Sequence, residues 1–368
     1  MAYQYHRQIT IDHTKVGEDL ADYPFLFNST LPELKTVANG GHVHNTATGG
    51  ASGSLTVPAD LVFSPNSDGS GKYDFEVEKY DPTTGELVAW VRIPSLSSSS
   101  DTTLYLCYGD SSVTTSQENV TGVWDSNFKA VWHLGESGDY PYDSTGGNND
   151  VTARGGTPDY QQAGKIGYSV RFQSASSEYF SVPDSADFAM TDATFEAWVK
   201  APSGTSHRNI VRQDDSPNTP RDLWLFRIAD SHRGQFAYMV DGVLLSVTTA
   251  VSVDDDTWKY LVGVRDGTAI YIYLNAGTPQ SATGGSSGTV DVADVLLIGA
   301  FKSSEIKEFF NGLIDEVRIS SVARSSGYIS TTYNNTSSPA TFYSVAAEVA
   351  AVTRTHSPGA SLPGLIIV

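Results

Sequence analysis

FNGLIDEVRIS, residues 310–320, sets two carboxylates at the mouth of an alternating apolar run, the period of a β-strand. If Leu313 to Ser320 is a strand, the adjacent Asp315 and Glu316 point to opposite faces and cannot close on one bond. A general acid and base must both reach one substrate, so this pair is no self-contained catalytic dyad. Runs of the same kind recur outward from it: VLLIGA, AIYIYLNA, TWKYLVGVRDG, GQFAYMVDG, DLWLFRIAD, ATFEAWVKA, EYFSVPD and KIGYSVRFQ. Ten or so short strands at nearly even spacing, without helices between them, predict a sandwich or jelly roll.

The composition agrees. Thirty-three Gly and 16 Pro among 368 residues, with Ser/Thr-rich turn clusters between short β-branched and aromatic runs, give the texture of an all-β chain. No stretch reads as a long amphipathic helix, and no window nears the ~18 consecutive apolar residues of a membrane span. A formal charge of -19 repels nucleic acid and anionic membranes, so neither is an expected partner. Cys107, the single cysteine, lies inside TLYLCYG, where a small buried hydrophobe is expected. MAYQYHRQITID lacks the basic start and apolar core of a secretory signal, which gives the expectation of synthesis in a cytoplasm without export.

Residues 1–110 hold another set of strand-like runs: YHRQITID, YPFLFN, DLVFS, YDFEVEKYD, ELVAWVRIP and TLYLCYG, joined by turns such as NSDGSGK and DPTTGE. Residues 111–122, SSVTTSQENVTG, read as a linker. Strand periodicity restarts at VWDSNFKAVWHL, so a second domain is predicted over 123–350, with a tail over 351–368.

AVWHLGE, the DSTGGNND loop, ATFEAWVKA, DDTWKYLVGVRDGTAIYIYLNA, LLIGA and FNGLIDEVRIS together resemble the laminin-G-like group of concanavalin-A-like jelly rolls, over roughly residues 123–325. YHRQITID, the VFS segment and YDPTTGELVAWVRIPSLSSSSDTTLYLCYGD resemble an uncharacterised β-rich module often placed before such domains in bacterial, archaeal and phage proteins. The resemblance implies two consecutive β-sandwich domains, the second a laminin-G-like jelly roll. It implies architecture and not chemistry. Relatives of this jelly roll hold one structural Ca2+ at the rim. Here the resemblance points to Asp143, Asn148 and Asp150 of the loop, with Asp315 of the last strand, as its oxygen ligands. Glu316 would then face solvent or pair with Arg318. The alternative is an Asx-type turn at the loop and a strand-end role for Asp315.

Glycosidases on the same jelly roll carry carboxylates spaced E-x-D-x-x-E along one strand, and no such run occurs here. No G-x-S-x-G elbow, H-E-x-x-H helix or glycine-rich phosphate loop occurs either. The expectation is therefore a non-enzymatic chain with no catalytic residues. Sugars want a flat aromatic beside hydrogen-bonding groups, which nominates Trp224 with Arg227, Tyr238, and the same-face pair Tyr271 and Tyr273. The alternative for each is packing, the role expected of Trp90, Trp132, Trp198 and Trp258. The terminal run Leu365, Ile366, Ile367 and Val368 suits strand addition to another subunit, as an assembly peptide.

These readings converge on a structural or adhesive protein binding glycans or protein partners, as a homo-oligomer or within a larger assembly. A phage virion decoration, fibre or tail-associated role is expected. A secreted or cell-surface adhesin is the alternative, and a cryptic glycosidase or lyase is disfavoured.

Overall fold

The structure, a computed structural model, describes residues 3–138, 140–215 and 221–351. The expected all-β class holds, and two sandwiches share the chain. In the first, one sheet orders the strands Tyr343–Val345, Tyr5–Ile11, Thr102–Tyr108 and Leu61–Ser64, with Val349–Ala350 also paired to Tyr5–Ile11. The facing sheet orders Leu20–Thr30, Glu86–Leu96 and Phe75–Asp81. Pro24 is tolerated because Leu20–Thr30 is an edge strand. The DPTTGE turn between Phe75–Asp81 and Glu86–Leu96 closes where Asp81 accepts from the Thr83 amide at 2.7 Å and Gly85 takes φ +77°.

In the second domain a seven-stranded sheet faces an eight-stranded one, and all pairings are antiparallel. The quoted run forms Gly312–Ser320, which pairs with Ala193–Lys200 on one side and with Tyr168–Phe172 and Phe128–Trp132 on the other. Its central position follows from an apolar face, Ile314, Val317 and Ile319, wholly buried between the two sheets.

The opposite-face expectation for Asp315 and Glu316 is overturned. Across the strand pair Glu196 sits opposite Arg318 and Trp198 opposite Asp315, so Glu316 and Val317 together face one residue, Ala197. This is a β-bulge, and Glu316 absorbs the extra residue at φ +53°. Asp315, Glu316 and Arg318 consequently all turn toward the first domain, each buried.

Two boundaries also need correction. The predicted linker 111–122 is tied down, because Glu118 accepts from the amides of Val77 at 2.6 Å and Gly50 at 3.2 Å. The expected unit 123–350 does not end in its own sandwich. After Ser320 the chain forms an α-helix, Ser326–Ser337, capped by the Ser325 hydroxyl, then returns to pair two short strands with Tyr5–Ile11. Asn335 on that helix bonds both the amide and the carbonyl of Leu26, at 2.7 and 3.0 Å. Trp198 and Tyr260, on the outward face of the eight-stranded sheet, meet Tyr333 of the helix at 5.9 and 6.1 Å between ring centroids. A single apolar cluster therefore runs from Phe25 and Trp90 of the first domain to Trp198 and Val262 of the second.

Cys107 is fully buried, as expected, and burial together with the nearby Asp68 carboxylate pushes its thiol up to about 12. Only thiolate attacks a disulfide reagent. The native chain should therefore leave such a reagent unreacted at pH 8 over hours and release one equivalent on unfolding in urea. Rapid reaction of the native protein would contradict this burial.

Candidate functional site

The outward face of the seven-stranded sheet carries an electrostatic clamp. Arg212, on Arg208–Asp214, and Arg227, on Leu223–Ile228, both donate to Glu308 Oε2, at 3.4 and 3.2 Å. Asn209 Nδ2 donates to the same oxygen at 3.2 Å and to the Glu308 carbonyl at 3.0 Å. Glu308 reaches over the strands because its backbone takes φ +53° just after Ile306–Lys307.

Beside this clamp the rim opens into a cavity of about 400 Å3, walled by Pro202, Ser203, Gly204, Ser206, His207, Glu308, Phe309 and Asn311. Successive residues of a strand-like run face opposite ways. Phe310 enters the core while Phe309 turns outward to line the cavity and stack on Tyr179, at 6.3 Å. The opposite wall is held from beneath by the buried Arg208, which donates to the Pro202 carbonyl at 2.6 Å and to Asp254 at 2.7 Å. Asp254 also accepts from the Gly204 amide at 3.1 Å, fixing the loop.

His207 lines this wall, its Nε2 3.8 Å from the Asp230 carboxylate. Its Nδ1 accepts from the Asp230 amide at 3.0 Å, so the proton sits on Nε2. Burial, and then the Arg227 charge, holds its pKa below the ordinary histidine value. The cavity is thus lined by an imidazole, serine hydroxyls, an amide and a carboxylate around one aromatic ring.

Most residues nominated by sequence lie elsewhere. Trp224 is fully buried and donates to the Phe188 carbonyl at 3.2 Å. Tyr238 is fully buried too, its hydroxyl on the Ser286 carbonyl at 2.7 Å and its ring under Arg265 at 3.9 Å. Tyr271 and Tyr273 do share a strand face; Tyr273 is buried and Tyr271 half-buried, both packed against the apolar cluster that the two domains share. Arg227 alone borders the cavity, through Glu308. Trp224 and Arg227 are three apart on one strand and so point oppositely, which parity alone could have told.

The four expected calcium ligands are not brought together as a set. Asp143 closes its own loop: Oδ1 accepts from the amides of Val131 and Thr145, both at 2.9 Å, and Oδ2 from the Thr145 hydroxyl and the Asn149 amide. Asp150 accepts from the Asp143 amide at 2.7 Å, and Asn148 is an exposed turn residue at φ +52°. Asp315 is buried at the domain junction, under the amides of Lys165 and Ile166 at 2.7 and 3.0 Å. These are Asx-turn and strand-bridging roles, the alternative reading of the loop. Leu365, Ile366, Ile367 and Val368 fall outside the described residues.

Sequence reasoning missed the junction itself. Glu76 and Glu78, on Phe75–Asp81, meet His133, Glu316 and Arg318 of the second domain. His133 Nδ1 lies 2.6 Å from Glu316 Oε1 and 3.7 Å from Glu78 Oε2, while Arg318 pairs with Glu316 and stacks 4.2 Å over Trp90. The Trp90 and Trp124 indoles donate to Glu78 and Glu76, each at 2.9 Å. Charged residues alternate with apolar ones in DFEVEKYD, the pattern of a strand with one wet face, yet Glu76 and Glu78 on that face are covered by the second domain.

With this geometry in hand, the chain can be set beside known proteins. Residues 174–330 match the concanavalin A-like lectin/glucanases superfamily. Residues 58–131 match a domain of unknown function, so both parts of the expected pairing are found. The second domain therefore has a lectin-like fold. No curated protein matches the chain. Among solved structures, the binding domain of Paraclostridial Mosquitocidal Protein 1 is similar at 14% identity and a TM-score of 0.46, over 57% of this chain and 52% of that one. Domain 4 of AbnA, an extracellular arabinanase from Geobacillus stearothermophilus solved with arabinotriose, is similar at 19% identity and 0.46, over 56% and 98%. The binding domain of Botulinum neurotoxin DC, solved with SialylT, is similar at 10% identity and 0.44, over 57% and 52%. The chain spans about half the length of these toxin binding domains.

Proposed function

We propose that the chain is a non-enzymatic glycan-binding protein whose sugar site is the rim cavity between His207 and Phe309. One observation carries the reading: a ligand-sized cavity with fixed walls sets an outward aromatic ring among convergent donors and acceptors. A pyranose offers the complement, an apolar C–H face and a ring of hydroxyls. The absence of catalysis in this proposal is supported by the same lining. Glycoside hydrolysis uses two carboxyl groups across one bond, and among the described residues Glu308 is the single carboxylate lining the cavity, held by two arginines.

A glycan array probed with the labelled full chain is the test. Phe309→Ala should weaken binding to the strongest hit about tenfold, as loss of an aromatic face worth about 1.4 kcal/mol would give. Leu244→Ser, on the exposed edge strand Val243–Ser252, should leave it unchanged. No hit above background across the array, or equal loss in both variants, would refute the assignment. Placement in a phage virion belongs to the same proposal, supported by the strongly acidic chain and the pairing of two β modules. Detection at fixed copy number in purified virions is its measurement.

A further inference from the structure

We propose that the junction between the two domains binds one divalent transition-metal ion through Glu78, His133 and Glu316. The site is independent of the glycan cavity. One ligand atom from each of these three residues lies within 4.8 Å of the others, and all three side chains are buried. A shared first-row ion with bonds of about 2.0–2.2 Å sets its ligand atoms about 3.3 Å apart. The His133–Glu316 distance of 2.6 Å must therefore open, and the His133–Glu78 distance of 3.7 Å must close, each by under about 1 Å.

Two further observations point to a bound cation. Glu78 is nine-tenths buried; its Oε2, the oxygen 3.7 Å from His133, accepts from the Trp90 indole, and its Oε1 has no hydrogen-bond partner. The wider junction buries five carboxyl groups, Glu76, Glu78, Glu196, Asp315 and Glu316, and among the described residues its buried cationic side chains are Arg318 and His133.

The surroundings of the three residues are those of a metal centre. Glu76 Oε1 lies 3.4 Å from His133 Nε2, a contact without hydrogen-bond geometry that a small ring rotation converts into the carboxylate partner ligating histidines usually have. Glu76 is itself fixed by the Ser144 hydroxyl at 2.6 Å and the Trp124 indole. That leaves Nδ1 for the ion. Binding displaces the proton shared between Nδ1 and Glu316 Oε1 into solvent, so uptake releases acid. A cavity of about 60 Å3, lined by Gly50, Ser52, Glu78 and His133 among others, leads to the group. A nitrogen donor with carboxylates suits the Mn2+ to Zn2+ series, whereas Ca2+ calls for six to eight oxygens.

The test strips the full chain with a chelator, then titrates it with Zn2+ alone and with Co2+ alone. We expect one ion per chain, visible absorption bands with Co2+, and a higher melting temperature. His133→Ala and Glu78→Gln should each weaken binding at least 100-fold. His13→Ala should not, although Asp12, His13 and Asp101 form the other candidate group among the described residues, at the surface. Should the junction variants fail to fold, anomalous scattering at the zinc edge from wild-type crystals decides: a peak bonded to His133 Nδ1 supports the site, and its absence overturns it. Failure of the wild type to bind stoichiometrically, or loss of the ion only in His13→Ala, overturns it equally.

Discussion

Truncation after residue 325 should leave a chain that no longer folds cooperatively, although the segment removed lies beyond both family matches on all but five residues of one. The helix Ser326–Ser337, the short helix Pro339–Phe342 and the strand Tyr343–Val345 supply Tyr328, Ile329, Phe342 and Tyr343 to the shared core. Burying side chains of this size stabilises by about 1.5–3 kcal/mol each, so four together contribute roughly 6–12 kcal/mol, comparable with the whole stability of a domain. The cut also strips the partner from one edge of Tyr5–Ile11 and bares Trp198 and Tyr260. An unpaired edge beside an apolar face invites aggregation. Near-UV circular dichroism and a thermal melt check this. A truncated protein melting within a few degrees of the full chain would show that the C-terminal return is ornamental.

Arg318→Met should cost about 3–5 kcal/mol, the penalty for leaving a buried ion unpaired. The guanidinium is 3% exposed, pairs with Glu316 and lies over Trp90 and Trp124. Glu316 and the neighbouring Glu196 raise the pKa of Arg318 far above the ordinary arginine value, and Arg318 helps hold Glu316 below the usual carboxylate range. In the variant Glu316 keeps His133 but loses the guanidinium, and Glu196 keeps only Arg324 among the arginines acting on it, in a site without solvent. The double variant Arg318→Met, Glu316→Gln should recover part of the loss, because the pair is then replaced by neutral groups. Urea midpoints for the wild type, the two single variants Arg318→Met and Glu316→Gln, and the double variant give the coupling. Additive losses would mean that the two residues do not act as a pair.

The fold was largely legible because β periodicity survives wherever one sheet face is buried, as in ATFEAWVKA and AIYIYLNA. Three features were not. The bulge at Glu316 inserts one residue into the pairing, and nothing in LIDEVRIS announces it, so parity assigned Asp315 and Glu316 to opposite faces. The helix Ser326–Ser337 is rich in Ser, Thr and Asn, residues of modest helix propensity without an apolar stripe. It is held by long-range contacts such as Asn335 with Leu26, some 309 residues away. The junction was hidden because charged residues alternating with apolar ones ordinarily face water.

The candidate site was less legible than the fold. Aromatic residues were weighed by type, and Trp224 and Tyr238 went to the core, where large rings gain most. Phe309 was not singled out, although a Phe-Phe doublet at a strand end must turn one ring outward. His207 and Asn311 come from loops, where residue type says little until the chain closes around them.

The most direct measurement is nuclear magnetic resonance mapping of the full chain titrated with the strongest glycan-array hit. The account predicts shift changes concentrated at residues 202–208 and 308–311, saturating with one site, and needing about ten times more ligand to saturate in Phe309→Ala. Changes centred instead on the outward edge strand Val243–Ser252 or on the first domain, with the rim silent, would contradict it.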